Sequence, residues 1–127
     1  MFEFKKENKI QSRLEIESLY EKGSKLKAFP IKLIYLLEPE SGSKLKSAFA
    51  VPKRSFKLAV NRNKIKRRMR EAFRLNKGII EDKFEDRLLL MFVVQGSESP
   101  SFQEIQDKII LLLQRLKERE LSVSEKV

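Results

Sequence analysis

The chain has 127 residues, the length of one domain with a modest core, and carries 28 Lys and Arg against 18 Asp and Glu, a net charge of +10. It contains neither histidine nor cysteine, which excludes disulfides, thiolate metal sites, zinc fingers, Ser-His-Asp triads and Cys-His nucleophiles. With 41% hydrophobic and 36% charged residues it reads as a folded, charge-rich chain, and the cation excess selects a polyanionic partner, nucleic acid before an anionic membrane surface.

From the N-terminus, MFEFKKENK has no apolar signal core, so a cytoplasmic location is expected. Ser12 with Glu15 reads as a capping box. Ile16, Leu19 and Tyr20 then form an apolar stripe ending at Gly23, a suitable left-handed terminator, which predicts a helix over about 12–22. The stretches GSKLKAFP and EPESGSK read as turn clusters. Between them IKLIYLL, 31–37, is β-branched and aromatic and predicts a strand, with KSAFAVP, 46–52, as its hairpin partner and Pro52 at the strand end. Residues 87–94, RLLLMFVV, predict a strand buried on both faces, and their apolar run from Leu88 to Val94 is far shorter than the roughly 20 residues of a membrane-spanning helix. Ser101 and Glu104 form a second capping box before Phe102, Ile105, Ile109, Leu112, Leu113 and Leu116, a helix expected to cover the sheet. Together these elements predict an α+β sandwich, with residues 1–121 as one domain and 122–127 as a disordered tail.

Charge is unevenly placed: residues 1–80 hold 21 cations and 8 acids, residues 81–127 hold 7 and 10. The partner surface therefore belongs to the first two thirds, and within it to Asn61–Asn76, NRNKIKRRMREAFRLN. Ile65, Met69, Ala72, Phe73 and Asn76 lie on one arc of a helix, while Arg62, Lys66, Arg70 and Arg74 follow an i, i+4 series, with Asn63 and Arg67 beside them. A solvated helix gains from mixed signs and from acids in its first turn; this one has a run of cations whose self-repulsion a phosphate backbone would relieve.

Arg62, Asn63, Lys64, Ile65, Lys66, Arg67 and Arg70 resemble the R-N-x-x-K-R-x-x-R motif of the protein component of bacterial ribonuclease P. Ala59 and Val60 before it, Arg70–Phe73 after it and Pro52–Arg54 upstream extend the resemblance. It implies a ribosomal protein S5 domain 2-like sandwich, ordered α-β-β-β-α-β-α, with a left-handed crossover at the RNR helix. It also implies a subunit of a ribonucleoprotein endoribonuclease. The RNA subunit would remove the 5′ leader of precursor tRNA, using Mg2+ held mainly by that RNA, while the protein alone would be inactive, without catalytic or metal-binding residues. Its partners would be ribonuclease P RNA and precursor tRNA, with no DNA, no membrane and no need for a protein oligomer.

On this resemblance the catalytic RNA is expected to meet Lys53, Arg54, Arg62, Asn63, Lys64, Lys66, Arg67, Arg68, Arg70 and Arg74, with Asn63 either fixing the helix start or bonding RNA directly. The leader is expected in a cleft of Ile16, Tyr20, Lys32 and Ile34, although Ile16 and Ile34 stand where the family usually has aromatics. A ribosomal or other structural RNA-binding protein with no part in cleavage is the alternative. The carboxylates of Glu81, Asp82, Glu85 and Asp86 read as solvated turn charges rather than a two-metal nuclease site, since Lys83 interrupts them. A DNA-reading helix lacks the partner helix of a helix-turn-helix, and a membrane-bound one would need a broader apolar face.

Overall fold

The computed structural model describes residue 10 and residues 13–39 and 45–125. Its elements are α1 (Arg13–Lys22), β1 (Ser24–Ala28), β2 (Ile31–Glu38), β3 (Leu45–Ala50), α2 (Ala59–Asn76), a single 3-10 turn (Lys77–Ile79), β4 (Arg87–Val94) and α3 (Phe102–Glu125). The expected α-β-β-β-α-β-α order is therefore the observed one.

One sheet, ordered β1-β2-β4-β3, separates two cores. Strand alternation sends Leu33 and Tyr35 of β2 and Leu88, Leu90 and Phe92 of β4 to one face, where Ile65, Met69 and Phe73 of α2 and Ile109, Leu112 and Leu116 of α3 close over them. Phe92 anchors this core, its ring 5.4 Å from that of Phe73 and 5.8 Å from that of Phe49 by centroids. On the opposite face Ile34, Leu89 and Met91 meet Leu19 of α1 and Ile10 in a smaller core. Polar contacts reinforce α1: Arg87 Nη2 lies 3.0 Å from Glu15 Oε2 and 2.9 Å from Glu38 Oε1, and Lys46 Nζ lies 3.3 Å from Glu15 Oε2.

Five expectations need correction. The turn cluster GSKLKAFP contains strand β1, which pairs antiparallel with β2 from Ser24↔Tyr35 to Ala28↔Ile31; its flanking Gly23 and Pro30 hid a short alternation of lysines with Leu26 and Ala28. Consequently 31–37 and 46–52 form no hairpin. Strand β4 lies between them, antiparallel to β2 and parallel to β3, because the two strands with apolar side chains on both faces occupy the two inner positions. Strand β3 ends at Ala50, leaving Pro52 outside the sheet at the start of a turn.

Gly23 is not left-handed. It is required for close approach: a Cβ there would run into the Leu19 carbonyl oxygen and come within 2.8 Å of Ile34 Cγ2. The segment expected as a tail begins as helix, since α3 continues to Glu125. At the start of α3 Ser101 caps the helix as expected, the Glu104 amide donating to Ser101 Oγ at 3.2 Å. Ser12 of the other capping box lies outside the described residues, as do residues 40–44 of EPESGSK and residues 126–127.

Candidate nucleic-acid interface

Helix α2 is amphipathic in the manner its spacing predicts: Ile65, Met69, Ala72 and Phe73 are buried, and Asn76 donates to the Ala72 carbonyl at 2.7 Å and to Gln106 Oε1 at 3.1 Å. The helix starts at Ala59, two residues earlier than expected, which puts Asn63 in the second turn. There it cannot cap the helix, and it is exposed.

The ten cations and amides assigned to RNA fall into two groups. Arg62, Arg68 and Arg74 are engaged within the fold. Arg62 Nη1 donates to the carbonyls of Phe56 and Lys57, each at 2.8 Å. Arg68 Nη1 donates to the Pro100 carbonyl at 2.7 Å, tying α2 to the loop before α3. Arg74 forms a two-point pair with Glu71, whose carboxyl is held below its ordinary pKa chiefly by that hydrogen bond while the guanidinium is raised by the same bond. Asn63, Lys64, Arg67 and Arg70 are exposed and Lys66 is half-buried. The outward cationic stripe is thus Lys64, Arg67 and Arg70, which keeps only Arg70 of the Arg62 series, because the four apolar positions, once seated in the core, turn Arg62 toward the preceding loop.

Lys53 and Arg54 are exposed on that loop. The Phe56 amide donates to the Pro52 carbonyl at 3.1 Å, and the Phe56 ring, 5% exposed, plugs into the main core. With Arg62 holding the carbonyls of Phe56 and Lys57, the loop is pinned at both ends and its cations project beside the start of α2.

The other sheet face has a second accessible region. The cross-strand register places Lys27, Lys32, Val93 and Ala50 in one row across all four strands. Lys27 is exposed and the other three are half-buried, whereas the next row, at Ile34 and Met91, is closed by α1. Ile34 is 0% exposed, so of the four residues expected in the leader cleft it is the one a ligand does not reach; its side chain seats α1. Tyr20 is 52% exposed, and Ile16 and Lys32 are half-buried. The sequence alone does not single out Lys25 and Lys27, because Gly23 and Pro30 give the β1 segment the composition of a turn. Like charges directly opposite each other, as at Lys27 and Lys32, repel, and an anion on that row would relieve the repulsion.

The acidic turn at 81–86 has Asp82 at φ 60°, a conformation Asp tolerates in tight turns. Among the described residues no group of three or more acidic side chains could hold a metal ion, and no described helix is long and apolar enough to cross a membrane.

Comparison with known proteins agrees with this geometry. The chain is 31% identical over 109 residues to the ribonuclease P protein component of Porphyromonas gingivalis, covering 83% of this chain and 80% of the relative. It is 34% identical over 83 residues to that of Borrelia duttonii, covering 65% and 70%. Its fold is similar to the RNase P protein of Staphylococcus aureus, with TM-score 0.71, 22% identity and coverage of 87% of this chain and 95% of that one. It is also similar to that of Thermotoga maritima, with TM-score 0.66, 24% identity and coverage of 81% and 92%. The family model described as Ribonuclease P matches residues 4–117, nearly the whole length over which the fold and the cationic helix have been traced, and the chain belongs to the ribonuclease P protein family.

Proposed function

We propose that this chain binds the catalytic RNA of ribonuclease P through α2 and the Lys53–Arg54 turn, and takes the 5′ leader of precursor tRNA along the open row of the sheet. The observation that carries the reading is the stripe of Lys64, Arg67 and Arg70, exposed on a helix whose Arg62 and Arg68 are tied to loop carbonyls and whose Arg74 pairs with Glu71. Each exposed cation that meets a phosphate releases a counterion, so the surface supplies affinity without base specificity.

The leader, being single-stranded and extended, suits a shallow row carrying Lys27 and Lys32, with the exposed Tyr20 ring of α1 as a stacking face. The chain has no histidine or cysteine and, among the described residues, no cluster of acidic groups for a metal. On the family resemblance we assign phosphodiester hydrolysis to the RNA and its bound Mg2+, and propose a cytoplasmic subunit, with no need for a protein oligomer, that screens phosphates and positions substrate.

The test is reconstitution at a low magnesium concentration where ribonuclease P RNA alone is inactive. Adding this protein is expected to restore removal of the leader from precursor tRNA, while RNA-free protein cleaves nothing. Tight binding to the RNA with no gain in cleavage would instead make the chain a structural RNA-binding protein.

A further inference from the structure

Two local rules are broken together where α2 begins. Leu58 holds the N-cap position, with φ −83° and ψ 126° and no side-chain hydrogen bond to the helix, where Ser, Thr, Asp and Asn are strongly preferred and aliphatic residues are among the least favourable. It is also 67% exposed, and Val60, two residues on, is 76% exposed. Neither side chain serves the core, and a polar residue at position 58 would make the isolated protein more stable. Residues that break local rules without gain to the fold are expected at functional sites.

The surroundings identify what would cover these side chains. Val60, Lys64 and Arg67 share one face of α2 by their i, i+4, i+7 spacing, and Lys64 and Arg67 are exposed. Lys57 is exposed directly before Leu58. From residue 47 to residue 70 the sequence contains nine cations and no acid. The two apolar side chains thus sit inside a field of positive charge, and the partner must combine negative charge with a small apolar face. A stable protein interface needs roughly 800 Å2 per partner, far more than two side chains provide. A membrane-binding helix lays a whole apolar face on the lipid, whereas the apolar face of α2 is buried in the core. One unstacked nucleotide matches both requirements.

We infer that Leu58 and Val60 form an apolar seat for an unstacked nucleotide of the RNA bound by α2, with its base or ribose against the two side chains and its flanking phosphates on Lys57, Lys64 and Arg67. This rests on the reading that α2 faces ribonuclease P RNA. The seat makes RNA affinity partly independent of salt, since apolar contact releases no counterion.

The experiment measures two quantities on Leu58→Ser and, separately, Val60→Thr: the melting temperature of the free protein, and its affinity for ribonuclease P RNA across a range of salt concentrations. Leu58→Ser is expected to raise the melting temperature by roughly 2–8 °C through capping. It should weaken RNA binding about 3- to 30-fold at every salt concentration, with the slope of log K against log salt unchanged. Val60→Thr, nearly isosteric, is expected to weaken binding in the same salt-independent way. Wild-type affinity in both variants, or a loss that appears as a changed slope, overturns the seat while leaving α2 as the RNA face. Failure of the wild-type protein to bind ribonuclease P RNA would overturn the underlying reading instead. Binding to phosphatidylglycerol vesicles that falls in Leu58→Ser while RNA affinity holds would give the patch to a membrane and reject the seat.

Discussion

Arg62 Nη1 stands 2.8 Å from the carbonyl oxygen of Phe56, so the first arginine of the R-N-x-x-K-R-x-x-R motif is built into the protein before any RNA arrives. The charge of the guanidinium and the second bond to Lys57 make this a strong local tie, and the buried Phe56 ring anchors the other side of the same backbone. Phosphate contact, where Arg62 makes it, uses the donors left over from this tie. The motif therefore mixes two kinds of residue that the sequence writes alike.

That mixture separates two variants. Arg62→Ala is expected to lower stability by roughly 1 to 3 kcal/mol, the cost of charged hydrogen bonds lost at a loop that depends on them, whereas Arg67→Ala, exposed on the outer face, should change it by less than about 0.5 kcal/mol. In RNA binding Arg67→Ala is expected to flatten the salt dependence by about one phosphate contact. Urea unfolding and salt titration of ribonuclease P RNA binding check both halves; an Arg67→Ala protein with the wild-type slope would remove that residue from the interface.

Tyr20, proposed to meet the leader, is exposed, and Tyr20→Ala should leave the core intact. Loss of a stacking surface is expected to weaken holoenzyme binding of precursor tRNA by roughly 1 to 3 kcal/mol per stacked base, with little effect on mature tRNA. Equal losses on the two substrates, or a lower melting temperature, would assign Tyr20 to packing.

At Gly23, α1 and β2 approach so closely that no side chain fits: an added Cβ meets the Leu19 carbonyl, Ile34 Cγ2 at 2.8 Å and the Tyr35 carbonyl at 3.1 Å. Two of those three neighbours are backbone, which cannot swing away. Gly23→Ala should therefore cost about 1 to 3 kcal/mol, as overpacked sites do, and displace α1 from the sheet. Calorimetry measures the first effect, and amide exchange of the Ile10, Leu19 and Ile34 region the second. A neutral substitution would mean that α1 is free to shift.

Tyr35 gives the fold an alkaline limit. Its hydroxyl donates to Glu120 Oε2 at 3.2 Å, and burial, followed by the charge of Glu120, raises its pKa above the ordinary 10.0. A raised acid binds its proton more tightly in the folded state, so its stabilisation is complete below pH 10.0 and is lost as pH rises through the higher folded value. Tyr35→Phe is expected to be less stable than wild type at neutral pH, with the gap narrowing at alkaline pH. A gap that stays constant from pH 8 to pH 11.5 would show that Tyr35 and Glu120 are not coupled.

The amino-acid sequence by itself determined the apolar periodicities and the charge pattern. Ile65, Met69, Ala72 and Phe73 had to face a core because no other arc of α2 is apolar, and Leu88–Val94 had to lie in a buried strand because both of its faces are apolar. The family motif was legible for the same reason, being a run of residue types at fixed spacing. Only the tertiary structure decided which neighbours meet. Strand β4 enters between β2 and β3, a pairing set by which strands need cover on both faces, information spread over more than 40 residues of separation. It also decided that Ile34 is sealed while Lys32 is only half-buried, since Leu19 of α1 seats on the row of Ile34 and Met91 and covers the next row only in part. Among seven similar cations on α2 it set Arg62 and Arg68, which hold loops, apart from Lys64, Arg67 and Arg70, which face outward, because a guanidinium's partner is chosen by the carbonyls within its reach rather than by its place in a motif.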